Sequence, residues 1–151
     1  MKKNIPDNSR RKFIFTVGIS AIGLPLLSSF GSLDDLISNK KKLGIALVGL
    51  GKYAAEQLAP ALLQTEDCYL AGIVTGTPSK IPIWKEKYNI PDKNIYNYEN
   101  FDSIKNNPDI DIVYIVLPNS MHAEYTIRAA EAGKDVICEK PMAISVAECD
   151  Q

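Results

Sequence analysis

Leu43-Gly44-Ile45-Ala46-Leu47-Val48-Gly49-Leu50-Gly51-Lys52-Tyr53-Ala54 is the stretch that decides the fold. Six strand-like residues run straight into two glycines, and then apolar side chains recur at helical spacing: Ala54, Leu58, Ala61 and Leu62. Strand, glycine turn and helix in that order is the setting a dinucleotide-binding motif requires. Gly49 lets the chain turn sharply out of the strand, Gly51 lets a pyrophosphate come close to the backbone, and Ala54 lets helix and strand pack closely. The first N–H groups of the helix and its positive dipole end then face the phosphates. The competing use of the same pattern is an ordinary tight strand-to-helix turn.

Downstream, strands and helices alternate, which predicts a parallel α/β sheet of the Rossmann, doubly wound type. The first helix is expected over Tyr53–Leu63 and the second strand over Tyr69–Val74. A helix follows with Ile81, Trp84 and Tyr88 on one face, opened by Pro82 under a Ser79 cap, and Trp84 reads as core. Ile95–Tyr96 is a short third strand and Tyr98–Lys105 a small helix, with the tyrosines of this region half-buried in the packing. Ile110–Leu117 reads as a buried strand whose Ile112–Leu117 is an uninterrupted, largely β-branched run, as in a strand covered on both faces. A helix over Met121–Ala132 turns Ala123, Ile127 and Ala130 inward and stops at Gly133. Asp135–Cys138 is a fifth strand, and Ser145-Val146-Ala147-Glu148 reads as a capping box.

Ligands of open parallel sheets bind beyond the carboxyl ends of the strands. Pro118-Asn119-Ser120-Met121-His122 and Glu139-Lys140-Pro141 therefore face the same crevice as the glycine turn. His122 is the only histidine, and its place after a central strand makes it a site candidate as well as a packing residue. An acid about 20 residues past the glycines would bind the ribose 2′-hydroxyl of NAD. Thr75-Gly76-Thr77 stands there instead, followed by Ser79 and Lys80. A hydroxyl and a cation suit a 2′-phosphate, so the reading is NADP, with NAD as the alternative; capping of the next helix is the competing use of Thr77 and Ser79.

The first twelve residues carry five basic side chains against Asp7, while the remainder carries 12 basic and 17 acidic residues. An acidic body argues against nucleic acid as a partner. Cys68, Cys138 and Cys149 have no metal-ligand spacing, so no metal is expected, and Cys68 and Cys138 read as buried free thiols. Residues 1–31 read as an export signal. Ser9-Arg10-Arg11-Lys12-Phe13-Ile14 resembles a twin-arginine motif and leads into the uncharged stretch Phe13–Phe30. That reading implies the twin-arginine export machinery as a partner and a periplasmic location, with a membrane anchor as the alternative. Residues 32–42 read as a polar linker whose Lys40-Lys41-Lys42 stays solvated.

Taken in order, Gly49-Leu50-Gly51-Lys52-Tyr53-Ala54, Leu117-Pro118-Asn119-Ser120-Met121-His122-Ala123-Glu124 and Cys138-Glu139-Lys140-Pro141-Met142 resemble the Gfo/Idh/MocA oxidoreductases. The resemblance implies that Gly49, Gly51, Lys52, Tyr53 and Ala54 lie along the pyrophosphate and that Thr75, Gly76 and Lys80 lie near the adenosine ribose. It implies that Leu117, Pro118, Asn119 and His122 border the nicotinamide half, that Glu139 contacts the cofactor ribose, and that Pro141 follows a cis bond in the cofactor site. Lys140 would be catalytic, hydrogen-bonding the hydroxyl of a sugar substrate as it is oxidised. The resemblance implies a second, substrate-binding domain, which residues 43–151 are not expected to include. Residues 43–151 therefore read as a C-terminally truncated nucleotide domain of a sugar oxidoreductase that is a homo-oligomer at full length and inactive as the isolated piece. An NAD-recycling exported glycosidase of the same superfamily and a non-catalytic nucleotide-binding protein are the rival readings.

Overall fold

The computed structural model describes residues 41–151. The expected export signal, and the linker up to residue 40, lie outside the described residues. Five strands form one parallel sheet: β1 (Leu43–Val48), β2 (Cys68–Val74), β3 (Ile95–Tyr96), β4 (Ile112–Ile115) and β5 (Asp135–Cys138), in the order β3-β2-β1-β4-β5. Order reverses between β2 and β4 on either side of β1, so a crevice opens at the carboxyl end of β1, as in other doubly wound sheets.

Apolar side chains fill both faces of the sheet. Ala46, Val48, Phe101, Ile104, Val113, Ile115 and Tyr125 pack on one face, and Leu47, Ala54, Ala59, Ile73, Trp84 and Ile90 on the other. Two covered faces explain why β1 reads as continuous hydrophobic sequence. β4 departs from its expected burial: Val113 and Ile115 are buried, while Ile112, Tyr114 and Val116 are only half-covered. Cys68 and Cys138 are likewise half-buried, not fully buried, and all three thiols are free.

The first helix, α1, spans 52–62 and is widened over Ala54–Leu58, where the Ala59 N–H bonds to Ala54 O, before continuing as Ala59–Leu62. Pro60 accounts for the widening, because its ring would strike a carbonyl in a regular turn and it has no N–H to donate. The extra residue advances the inward face, so Ala59 is buried and Ala61 exposed. α2 (Ile81–Tyr88) buries Trp84 and is entered through a tight 3₁₀ turn, Pro78–Lys80, with no side-chain cap from Thr77 or Lys80; the expected Ser79 cap is absent because Ser79 lies inside that turn. It ends at Asn89, left-handed at φ 52. Phe101–Asn106 is a 3₁₀ helix in place of the expected Tyr98–Lys105 helix.

Helix α3 (His122–Glu131) is rotated from the expected face, with His122, Tyr125 and Ala129 inward in place of Ala123, Ile127 and Ala130. Tyr125 meets Phe101 edge-on at 5.1 Å, and Arg128 stacks over both rings while pairing with Asp102 at 2.8 Å. A short α4 (Val146–Cys149) starts at Ser145, whose Oγ accepts from Glu148 N; the returning carboxylate accepts from Ile144 N, one residue earlier than in a standard capping box. No helix among the described residues is long and apolar enough to cross a membrane.

The amino ends of β1 and β4 are joined by one carboxylate. Asp111 Oδ2 accepts from Gly44 N at 2.8 Å and Oδ1 from Lys41 Nζ at 3.0 Å, so Lys41 is ion-paired while its side chain stays exposed. The Gly44 N–H first, then the Lys41 ammonium, hold the Asp111 carboxyl below its ordinary value of 3.8. A depressed carboxylate stabilises the fold above its ordinary range, and that contribution is lost as pH falls through the folded value. Asp111→Ala is expected to cost about 1 kcal/mol at pH 7. Urea unfolding of both proteins should show the gap closing as pH drops below the carboxylate range.

Candidate cofactor site

β1 delivers the chain to Gly49 at the carboxyl edge of the sheet. Gly49 N donates to Val74 O at 3.0 Å, and Val116 N donates to Val48 O at 2.8 Å, so the ends of β2, β1 and β4 are level. Gly49 has φ +97, and a Cβ there would lie 2.5 Å from Val116 O. Only glycine fits that backbone approach. At Gly51 the opposite holds: nothing lies within 4 Å of an added Cβ. One glycine is needed for what presses against it, and the other keeps a space open.

That space is a cleft of about 600 Å³ lined by Gly51, Lys52, Tyr53, Val116, Leu117, Pro118, Asn119, His122, Glu139 and Lys140. Nine of these ten are site residues expected from the sequence; Val116 is the addition. Ala54, in the first turn of α1, and Gly49, in the glycine turn, are both buried and shape the cleft without lining it. The Lys140–Pro141 peptide bond is cis, the geometry the resemblance implied, although Pro141 does not line the cleft. Lys140 is exposed at the cleft wall and makes no ion pair among the described residues.

Thr75 and Gly76 do not join this cleft. They line a neighbouring one of about 340 Å³, with Pro78, Asn97, Tyr98 and Glu99. Thr75 Oγ1 accepts from Thr77 N at 3.1 Å, and the Tyr98 ring lies 2.6 Å from where a Gly76 Cβ would be. Lys80 lines neither cleft. Its ammonium donates to Leu50 O at 2.6 Å and so ties the start of α2 to the glycine turn. A contact across 30 residues leaves no local trace in sequence.

His122 is 1% exposed, and both ring nitrogens face carbonyl oxygens: Nδ1 lies 2.6 Å from Pro141 O and Nε2 2.8 Å from Leu117 O. A neutral ring donates one of these bonds and an imidazolium donates both. The ring nitrogens therefore fasten the loop after β4 to the loop after β5, and the histidine borders the cleft as a clasp. Tyr114 was not singled out by the sequence reading. Its hydroxyl donates to Glu139 Oε1 at 2.7 Å. A tyrosine in the middle of an aliphatic strand was the available signal, since a half-buried phenol needs a partner for its O–H.

The donor set suits a dinucleotide. The start of a helix, where N–H groups lack intrahelical partners, adjoins the open space at Gly51; a carboxylate and an ammonium stand across from it.

Residues 43–151 match the family model described as "Oxidoreductase family, NAD-binding Rossmann fold", the Gfo/Idh/MocA family. The solved structure of aldose-aldose oxidoreductase from Caulobacter crescentus, complexed with glycerol, is similar at 51% identity and TM-score 0.71, over 73% of this chain and 33% of that one. Scyllo-inositol dehydrogenase from Lactobacillus casei, with bound NAD(H) and scyllo-inositol, is similar at 25% identity and TM-score 0.63, over 73% of this chain and 31% of that one. Inositol 2-dehydrogenase from Salmonella paratyphi B is 31% identical over 111 residues, 73% of this chain and 31% of that protein. The chain thus spans about a third of the length of these relatives.

The two glycines should respond oppositely to the same substitution. Gly49→Val is expected to destabilise by about 2–4 kcal/mol, from a strained φ and a backbone clash. Gly51→Val should leave the melting temperature within about 2 °C, as surface changes do, while lowering nucleotide affinity by roughly tenfold or more, because the side chain occupies the pyrophosphate's approach. Paired thermal melts and fluorescence titrations check both.

Proposed function

The chain belongs to the Gfo/Idh/MocA oxidoreductase family, and on that premise we propose that it is the nucleotide-binding part of an NADP-dependent oxidoreductase of sugars. The observation that carries the reading is the convergence of Gly51–Tyr53, Leu117–Asn119 and Glu139–Lys140 on one cleft. The similarity to an aldose-aldose oxidoreductase and to an inositol dehydrogenase supports a sugar or polyol hydroxyl as the reacting group.

In this reading, the amides at the start of α1 hold the diphosphate and Glu139 accepts from a ribose hydroxyl. The nicotinamide, when bound, supplies the hydride chemistry. Lys140 donates a hydrogen bond to the sugar hydroxyl under oxidation and stabilises the oxygen as its proton leaves. A fixed ammonium is worth most where negative charge develops. His122 keeps the loops bearing Leu117 and Lys140 together, so the backbone that carries the ammonium is held at the cleft.

Two groups push the nucleotide preference in opposite directions. Lys80 brings a part-buried cation to the glycine turn, while Glu99 brings a carboxylate to the Thr75–Gly76 cleft. Glu99 is exposed, and its field is screened beyond about 10 Å at moderate salt. No acid stands at Thr75-Gly76-Thr77 after β2, and Lys80 lies beside the glycine turn, which supports NADP over NAD.

We also propose that residues 1–31 direct export by the twin-arginine route to the periplasm, and that the complete protein is a homo-oligomer. An exported oxidoreductase has no free nucleotide pool, so the cofactor stays bound and cycles between two sugars, as in glucose-fructose oxidoreductase, which this chain resembles.

Sugar oxidation by the complete protein, followed by bound-nucleotide absorbance, tests the role of Lys140. Lys140→Ala is expected to lower kcat by about 100-fold or more, as loss of an oxyanion-stabilising donor does, a larger loss than any in nucleotide affinity. An unchanged kcat would refute the assignment. Lys80→Met should lower NADPH affinity about tenfold more than NADH affinity, since only NADPH carries the extra phosphate for the cation. Equal losses would remove the argument for NADP.

A further inference from the structure

One side chain on the cleft side of the sheet has no part in the scheme above. Tyr114 sits in β4 on the face opposite Val113 and Ile115, half-buried, with its hydroxyl 2.7 Å from Glu139 Oε1. Glu139 is already fixed at its backbone, where its N–H donates to Ile115 O at 3.1 Å. The tyrosine fixes the other end of the same residue. Resting on the cofactor reading, we propose that Tyr114 is a positioning residue that holds the Glu139 carboxylate in the cleft as the acceptor for a nucleotide ribose hydroxyl.

Three observations support it. First, the direction of the bond is set. Burial, and then the Glu139 carboxylate, raise the Tyr114 hydroxyl above its ordinary range, so the phenol keeps its proton and donates. Oε1 is then engaged, and the second carboxylate oxygen is left to accept from a ligand. Second, the neighbouring residue is an ammonium. Glu139 and Lys140 line the same cleft, and an unheld carboxylate beside a cation tends to collapse onto it. No ion pair joins the two among the described residues; the carboxylate is spent on the phenol instead. Third, a free glutamate has several rotamers to lose when ordered. Ordering it beforehand removes that loss from the binding step.

Packing alone would require only a ring at position 114, which separates the proposal from a structural role. The test measures binding of NADPH, NADH and ADP to this chain and to Tyr114→Phe, Glu139→Gln and the double variant. ADP retains the adenosine and the diphosphate and lacks the second ribose. Tyr114→Phe is expected to weaken whichever dinucleotide binds more tightly by about five- to tenfold, the scale of a charge-assisted hydrogen bond, and to leave ADP within about twofold. Glu139→Gln should give the same split, and the double variant should lose no more than either single change. Unchanged dinucleotide affinity in Tyr114→Phe, a parallel fall in ADP affinity, or additive losses would each overturn the proposal. Should Tyr114→Phe fail to fold, Glu139→Gln carries the test, and absence of the split there overturns it. A wild-type chain that binds none of the three nucleotides overturns the cofactor reading itself, and this assignment with it.

Discussion

The site depends on one close backbone approach, that of Gly49 to Val116. With no Cβ, the glycine turn lies against the end of β4, and the Val74 and Val116 hydrogen bonds hold three strand ends level. A side chain at position 49 would push the turn away from β4, and the start of α1 would no longer face the loops after β4 and β5. The open space at Gly51 follows from that placement. The placement of the turn and of the cleft thus rests on a single steric allowance.

The walls of the cleft are held from outside it. His122 ties Leu117 O to Pro141 O, Tyr114 holds Glu139, and Lys80 holds Leu50 O. Apart from the His122–Leu117 bond, which spans five residues, these bonds join segments 19 to 30 residues apart. Lys140 is the exception, exposed and unpaired among the described residues, as suits a group that must meet a substrate. The sheet is correspondingly uneven. β1 is sealed on both faces, while the outer face of β4 and β5 is half-open, with Tyr114 partly covered and Ile137 41% exposed.

Local patterns made the fold legible. Leu43–Val48 followed by two glycines, the unbroken run in β4 and the short Asp135–Cys138 strand located the parallel sheet and the crevice. What escaped were properties set by contacts. The inward face of α3 was misjudged because Ala123, Ile127 and Ala130 are apolar, yet the helix is rotated to bury His122 between two carbonyls. Pro60 stood in plain view, but the widened turn it imposes, and the resulting exchange of Ala61 for Ala59, depend on the helix continuing through it. Tyr114 was hidden inside a strand read for its hydrophobicity. Lys80 was read for its charge, and its engagement with the glycine turn emerges only once α2 is packed.

The most direct test of the central claim is an amide chemical-shift map of the isotopically labelled chain titrated with NADPH. The account predicts shifts concentrated at Gly49–Ala55, Val116–Asn119 and Glu139–Lys140, saturating together with a single affinity. Shifts confined to the opposite, amino-terminal edge of the sheet around Gly44, Asn107 and Asp111, or none at saturating nucleotide, would contradict it.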